Sequence, residues 1–149
     1  MSTYLRGIHT PHRKGTKGKE PLRLPIPEKV TIPMSMHIGK PATPIVKVGD
    51  LVKVGTKIGE ADGYISAPIY SSVSGKVVKL QEHRLVNGAA TTAVVIESDG
   101  EMAVDESIAP PVVTNKEELV AAVKASGIVG LGGAGFPTYV KLDVDPARI

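Results

Sequence analysis

The stretch Val48-Gly-Asp-Leu-Val-Lys-Val-Gly55 decides the fold, because it places two short β-branched runs on either side of a Gly-Asp turn. Further along the chain, Ile58-Gly-Glu60, Ile65-Ser-Ala-Pro68 and Ser74-Gly-Lys-Val-Val78 repeat this alternation of apolar runs and turn residues. Short apolar runs separated by turn residues at such regular intervals are typical of small barrels and sandwiches. The sequence therefore predicts a mainly β fold. The predicted strands cover residues 45–48, 51–54, 76–80 and 92–97.

The same segments resemble the biotinyl/lipoyl carrier domain, a barrel-sandwich hybrid with two quasi-repeated halves. In that family the modified lysine lies at the tip of a hairpin between the halves. The corresponding tip here is Glu60-Ala-Asp-Gly-Tyr64, with Gly63 at the lysine position and Lys57 on the preceding strand. Asp-Gly predicts a tight, solvent-facing hairpin turn, with Asp62 serving the turn and not catalysis. Glycine offers no amine to acylate, so the resemblance implies a scaffold without carrier chemistry.

Composition agrees with a β fold and excludes several classes of protein. One Phe, four Tyr and no Trp among 149 residues favour a core of β-branched side chains over a helical bundle. No apolar run reaches the ~20 residues that cross a bilayer, and residues 1–6 have no signal-peptide pattern. We therefore expect a cytoplasmic chain. With no cysteine, neither a disulfide nor a thiolate-ligated metal can be built from these residues.

Residues 1–28 are predicted to form a basic extended arm. Its prolines, together with Pro33, favour extended backbone. Two interpretations stay open: a docking arm for an acidic partner or anionic lipid headgroups, and a solvated tail. Nucleic-acid binding is not predicted, because no stacking aromatics are interleaved with the basic residues. In the first 23 residues, the basic residues outnumber the acidic one, which is Glu20. The basic residues are Arg6, Arg13, Lys14, Lys17, Lys19 and Arg23.

Histidines provide few candidate sites. His9 and His12 have His-x-x-His spacing, but no third ligand is evident, so a metal site is not predicted. His37 lies in Met34-Ser-Met-His-Ile-Gly39 and is predicted to be a hydrogen-bonded structural residue. His83, between Glu82 and Arg84, is predicted to be an exposed residue at a strand end or in a loop.

A glycine-rich string, Gly130-Leu-Gly-Gly-Ala-Gly-Phe-Pro-Thr138, follows a predicted helix near the end of the chain. Without side chains, backbone N–H groups can converge on an anion and a flat ring can lie against the main chain. Pro137 is suited to the first turn of a following helix. The string is neither a Walker A loop nor a Rossmann fingerprint; taken on spacing alone, it is equally consistent with a structural turn. For the preceding helix, Thr114-Asn-Lys-Glu117 has capping-box spacing, Leu119, Val120 and Val123 form an apolar stripe, and Ser126-Gly127 marks its end.

Extended to Lys141 and Leu142, this string resembles the flavin-binding loop of the NADH-oxidising subunit of complex I. It resembles still more closely the C subunits of Rnf ion-translocating electron-transport complexes. Gly7-Ile-His-Thr-Pro-His-Arg-Lys14, Ile32-Pro-Met-Ser-Met-His-Ile-Gly39 and Ser71-Ser-Val-Ser-Gly75 resemble the N-terminal half of those C subunits in the same order. Leu131 stands where complex I has an arginine. The FMN/NADH-loop residues implied by the resemblance are Gly130, Gly132, Gly133, Ala134, Gly135, Phe136 and Lys141.

The resemblance implies three parts: an arm over residues 1–28, a barrel-sandwich hybrid domain over 29–110, and the start of an FMN/NADH-binding domain over 111–149. The chain is expected to be an N-terminal part of a subunit that passes electrons from NADH through FMN and [4Fe–4S] clusters. Its implied partners are other Rnf subunits, and its implied location is the cytoplasmic face of the membrane. We expect this chain to hold no cofactor tightly, and residues 115–142 to lack the sheet they need for packing. The alternatives are a non-catalytic biotinyl/lipoyl-like module and a related cobalamin-reductase-type flavoprotein.

Overall fold

A computed structural model describes residues 11–144, in which antiparallel strands form two sheets and two helices follow them. The larger sheet has the strand order β1-β7-β6-β3 and the smaller one β2-β4-β5. The elements are β1 Lys29–Pro33, β2 Thr43–Pro44, β3 Leu51–Val52, β4 Lys57–Glu60, β5 Ile69–Tyr70, β6 Gly75–Arg84, β7 Ala90–Ser98, α1 Lys116–Ala125 and α2 Thr138–Leu142.

The long hairpin of β6 and β7 is the centre of the larger sheet. It pairs from Gly75 opposite Ser98 to Arg84 opposite Ala90, with an irregularity between Val77 and Lys79. The strands predicted over 76–80 and 92–97 are confirmed, but the real strands run further on both sides of the connecting turn. The extension was missed because β6 becomes polar after residue 80, where pairing with β7 and not burial holds it extended.

The close approach of β6 to β7 requires Gly75. Its φ is +152°, and a Cβ built on it would lie 2.0 Å from the carbonyl oxygen of Glu97. That distance is far inside van der Waals contact, so any side chain here would force the two strands apart. The glycine of Ser71-Ser-Val-Ser-Gly75 therefore has a packing role in the sheet.

Two strands predicted ahead of β4 differ from expectation. The strand predicted over 45–48 is wrong: pairing with β4 involves Thr43–Pro44, and the backbone N–H of Lys47 donates to the Asp50 carboxylate instead. The strand predicted over 51–54 is reduced to Leu51–Val52. Turn-forming side-chain hydrogen bonds thus replace strand pairing in this part of the chain.

The tight Asp-Gly hairpin is also wrong, since residues 61–68 form a longer loop between β4 and β5. Asp62 organises this loop: its N–H donates to Ser66 Oγ at 3.0 Å, and its carboxylate accepts from the Lys40 ammonium at 2.9 Å. That contact lowers the pKa of the Asp62 carboxyl, in keeping with a role in the turn. Gly63 is exposed with φ +102°, as predicted for a residue at the tip.

The core lies between the two sheets and is built mainly from β-branched side chains, as the composition predicts. Ile58, Val77, Val94 and Ile96 are fully buried, and Met34 is nearly so. All members of the core cluster except Met34 and Ala42 are Val or Ile. The cluster comprises Ile32, Met34, Ala42, Val52, Ile58, Ile69, Val73, Val77, Val94 and Ile96.

Helix α1 begins one residue later than its capping-box spacing predicts. The N-cap is Asn115, whose side chain accepts from the N–H of Glu118 at 2.8 Å. The Glu118 carboxylate accepts in turn from the N–H of Thr114 at 2.7 Å, which lowers the pKa of Glu118. The prediction paired Thr114 with Glu117, but asparagine competes equally well for the cap. The ends of the helix are otherwise as predicted.

The acidic stretch after Gly100 is attached to the β domain. Val54 and Val104 form a parallel bridge, and the N–H of Val54 donates to Ala103 O at 2.8 Å. The Asp105 carboxylate accepts from Thr56 Oγ1 at 2.7 Å and from both the N–H and the hydroxyl of Ser107. These hydrogen bonds lower the pKa of Asp105 to about 2.

Replacing Ile58 by alanine should destabilise the fold by about 2–5 kcal/mol, because its side chain is fully buried between the sheets. Leu51→Ala is the matched control, since Leu51 is 81% exposed, and its effect should stay within about 0.5 kcal/mol. Urea denaturation measures both. Equal losses in the two variants would contradict the assignment of the core.

The hydrogen bonds of Asp105 predict a specific acid sensitivity. Its folded pKa lies below the ordinary value of 3.8, so its contribution is present above that value and is lost as the pH falls toward about 2. In urea denaturation, wild type should be more stable than Asp105→Asn at neutral pH, and the difference should shrink across that window. Glu101→Gln, at an exposed position, is the control and should show no such trend. A constant difference at every pH would contradict the prediction.

Candidate functional site

The glycine-rich loop is closed at its base by backbone hydrogen bonds. Val129 and Pro137 form an antiparallel bridge, and the N–H of Gly130 donates to Phe136 O at 2.9 Å. The N–H of Thr138 donates to Ile128 O at 3.0 Å. The two ends of the loop are therefore held together, and its residues project from a fixed neck.

The tip of the loop is open. A Cβ added at Gly132 or at Gly133 would have no heavy atom of the described residues within 4 Å. Leu131 and Ala134 are exposed beside them, and Gly132 has a φ of +82°. The main chain of residues 131–134 is thus uncovered within the described part of the chain.

The far side of the loop rests on the β domain. Gly135 has a φ of +67°, and an added Cβ would lie 3.1 Å from both the Cα of His37 and the carbonyl oxygen of Met36. Phe136 is half-buried and Pro137 is buried. Gly135 and Phe136 therefore anchor the loop, whereas Gly132 and Gly133 present an open surface.

Lys141 brings a positive charge to the neck of the loop. Its Nζ lies 3.1 Å from the position of a Cβ on Gly130 and 6.0 Å from the centroid of the Phe136 ring. A Cβ at residue 130 would require this ammonium to shift by a few tenths of an ångström. Gly130, Phe136 and Lys141, singled out together in the sequence, are thus brought together by the fold.

Helix α2, which carries Lys141, is a single short turn. Pro137 has the φ of −56° that proline dictates, but it stands at the N-cap with a ψ of 124°, one residue before the helix. The prediction that it lies in the first helical turn is wrong by that residue. Tyr139 is the buried residue of α2.

Tyr139 anchors α2 to the β domain, a contact that the sequence does not predict for residues 115–142. It is only 4% exposed, and its ring meets that of Tyr64 edge to face at 6.2 Å between centroids. Its hydroxyl donates to the Tyr64 carbonyl, and burial raises its pKa. The hydroxyl of Tyr70 likewise donates to the carbonyl of Ala125, the last residue of α1. These contacts have no local signal, because Tyr64 and Tyr70 appear in the sequence as loop and strand residues with no visible partner.

His37 is a hydrogen-bonded structural residue, as predicted. It is 8% exposed, its Nε2 accepts from the N–H of Ala67, and its Nδ1 lies 3.1 Å from the carbonyl oxygen of Ile38. Because Nε2 accepts, the proton of the neutral ring is on Nδ1, where it donates to Ile38. The segment Met36–His37 also supports Gly135, a contact that nothing in the sequence indicates.

Among the described residues, neither His12 nor His83 belongs to a group of side chains that suits a metal ion. His83 lies near the end of β6, as predicted, but is half-buried. His12 is exposed, and His9, which shares its His-x-x-His spacing, lies outside the described residues. Within residues 11–144, His, Asp and Glu side chains nowhere gather in groups of three or more that suit a metal ion.

A separate cleft of about 620 Å³ lies between the β domain and α1. Tyr70, Asp105, Ile108 and Ala122 are among its lining residues, and none of the glycine-loop residues contributes. The cleft therefore adds no wall to a ligand site at the glycine loop. In the described part of the chain, neither helix has the length and apolar character to span a bilayer.

Comparison with known families decides the origin of this β domain. The family described as the RnfC barrel sandwich hybrid domain matches residues 2–101. The chain belongs to this family. The barrel-sandwich hybrid predicted from the Val48–Gly55 stretch and its repeats is thereby confirmed, as is the resemblance to Rnf C subunits.

Relatives of this family cover almost the whole chain. It is 47% identical over 98% of its length to the C subunit of the Na⁺-translocating ferredoxin:NAD⁺ oxidoreductase complex of Acetobacterium woodii. It is 39% identical over 99% to the proton-translocating counterpart of Clostridium ljungdahlii, and 36% identical over 99% to the C subunit of the ion-translocating oxidoreductase complex of Pseudomonas aeruginosa. The chain spans 34%, 33% and 20% of these relatives.

His37→Phe should destabilise the protein by about 1–3 kcal/mol, because the buried N–H of Ala67 loses its acceptor while the ring volume is kept. His83→Phe is the control, and its effect should be within about 0.5 kcal/mol. Urea unfolding measures both. Similar stability of the two variants would show that His37 has no structural role.

Proposed function

We propose that this chain forms the scaffold and the opening part of the flavin site in the C subunit of an ion-translocating ferredoxin:NAD⁺ oxidoreductase. The observation that carries the proposal is the glycine loop, closed at its neck and open at its tip, in a chain of the RnfC family. Family membership alone would leave this loop without a role. Its geometry supplies the role of a backbone cradle.

The loop suits FMN for two physical reasons. The absence of side chains at Gly132 and Gly133 leaves room for a flat ring or a phosphate against the main chain. The Lys141 ammonium at the neck supplies positive charge for an anionic ligand. Bound FMN would accept hydride from NADH and pass its electrons on singly, which is chemistry of the cofactor. The chain would hold and orient the ring.

Each residue has a distinct part in this proposal. Gly132, Gly133 and Ala134 would offer main-chain contacts to the cofactor, and Gly130 would leave space for Lys141. Gly135 and Phe136 would fix the height of the loop above the β domain, since Gly135 already lies on Met36 and His37. Leu131 is 102% exposed and, standing where complex I has arginine, would contribute no charge to an NADH contact.

Helix α1 supports the proposal that further structure completes the site. None of its residues is buried against the described part of the chain, and Leu119 of its apolar stripe is 43% exposed. A covering layer on this face would belong to the FMN/NADH-binding domain that we propose begins at residue 111. Cluster ligands would lie there too, because this chain contains no cysteine.

The subunit would act with other Rnf subunits at the cytoplasmic face of the membrane. This part of the proposal rests on the relatives, which are named as subunits of ion-translocating complexes. The carrier alternative finds no support at the exposed tip, where Gly63 provides no amine. Intact-mass analysis after co-expression with lipoyl or biotin ligase tests it, and a modified wild-type chain would restore the carrier function.

In the full-length subunit, Gly133→Ala should weaken FMN binding about tenfold, because a methyl group would occupy the space offered to the ring. The free protein should keep its melting temperature, since nothing described lies within 4 Å of that Cβ. Flavin fluorescence titration measures the affinity. The 149-residue chain alone should bind FMN much more weakly than the full-length subunit, because it would offer only one side of the pocket.

Gly15→Ala is the matched control, since Gly15 also has open space around it but lies in the arm. Unchanged affinity in Gly133→Ala, or equal losses in the two variants, would contradict the placement of FMN at the loop tip. Micromolar binding by the 149-residue chain would show that the loop suffices without further walls.

A further inference from the structure

Residues 21–27, Pro-Leu-Arg-Leu-Pro-Ile-Pro, form a segment that we call the proline strap. It runs without regular structure ahead of β1. Leu22 is 92% exposed, Leu24 89% and Ile26 49%. Its main chain makes no hydrogen bond to any other residue in the described range 11–144. Within the described range, aliphatic side chains and backbone groups thus both lack protein partners over the same short segment.

The prolines of the strap occupy alternate positions. A residue that precedes proline is disfavoured from the helical region, so Glu20, Leu24 and Ile26 are held extended. In an extended chain, successive residues direct their N–H and C=O groups to opposite edges. The even-numbered residues keep the backbone N–H donors on their edge of the strap. The opposite edge has lost them at Pro21, Pro25 and Pro27, and only Arg23 retains an N–H there.

Side chains follow the same alternation. Leu22, Leu24 and Ile26 lie on one face, and Arg23 lies with the prolines on the other. The strap therefore has one apolar face, one edge able to pair and one edge blocked by proline. This is the pattern of an outermost strand in a sheet, where proline is tolerated on the side that faces solvent.

We propose that the proline strap adds as an edge strand to an open β-sheet edge of a partner protein. The partner sheet would be apolar on the face that receives Leu22, Leu24 and Ile26, and acidic around it. The acidic character follows from the neighbouring cations Arg13, Lys14, Lys17 and Lys19, opposed by Glu20, on the exposed residues before the strap. Such strand addition uses main-chain hydrogen bonds for affinity and alternate side chains for specificity.

An anionic membrane fits the strap less well. Unpaired N–H groups at residues 22, 24 and 26 would be costly in hydrocarbon, where no partner is available. The amphipathic helices that lie in a membrane interface cannot form across three prolines in seven residues. A partner strand satisfies these donors, so the same cations are better explained by an acidic protein surface.

The test uses the full-length subunit in its complex, and it rests on the proposed function in taking the partner to be another subunit. The complex is purified through a tag on a different subunit, and the amount of the strap-bearing protein that is retained is quantified. Leu24→Pro removes a donor from the pairing edge and should reduce retention about tenfold. Arg23→Pro removes a donor from the blocked edge and should reduce retention no more than Arg23→Gln.

A photo-crosslinking benzoylphenylalanine at position 24 should attach to a β-strand of a protein subunit, whereas the same probe at position 25 should attach far less. Equal losses for Leu24→Pro and Arg23→Pro would overturn the proposal, as would crosslinks to lipid or to a second copy of this chain. Failure of the wild-type subunit to co-purify would contradict the proposed function instead. Melting of the 149-residue variants should be unchanged, which separates lost docking from lost folding.

Discussion

The antiparallel pairing of β6 with β7 is the constraint on which the rest of the structure depends. It supplies the buried face of Val77, Val94 and Ile96, and it gives β1 and β3 the edges on which they pair. The contact is tight because Gly75 has no side chain where β7 passes its main chain. The smaller sheet, with strands of only two to four residues, depends on the core that this hairpin creates. A short strand gains little from its own hydrogen bonds and is stabilised mainly by burial.

The glycine loop depends on this scaffold indirectly. It contacts Met36 and His37, which follow β1, through Gly135. The helix after it contacts the residue 61–68 loop, where the Tyr139 hydroxyl donates to the Tyr64 carbonyl. The loop that corresponds to the lysine-bearing tip of carrier domains thus has a different use here: it holds α2 in place. The same position in the fold carries the modified lysine in the carrier family and supports α2 here, because Tyr64 beside the tip supplies packing area that glycine cannot.

Sequence alone predicted the fold class from local patterns, the family from its resemblance, and a glycine-rich stretch outside regular structure over residues 130–136. Alternating β-branched runs specify sheet strands, and Gly132 and Gly133 are small whatever surrounds them. It failed at residues 45–48, where the Asp50 side chain takes a main-chain donor that strand pairing would need. It also failed at the Asp62-Gly63 turn, because Lys40 contacts the Asp62 carboxylate from a distant position in the chain. The packing of Tyr139 and the contact of Gly135 with His37 are likewise long-range, so no local pattern encodes them.

The closed neck of the glycine loop changes the conformational entropy of ligand binding. A loop free over its whole length would have to be ordered residue by residue, at about 1–2 kcal/mol each. Here Gly130 and Phe136 are already joined by a hydrogen bond, and Gly135 is seated on the β domain. Only residues 131–134 remain to be ordered by a ligand. The barrel-sandwich hybrid thus serves as a preorganising support that lowers the entropic cost of binding at the loop before any contact with a cofactor is made.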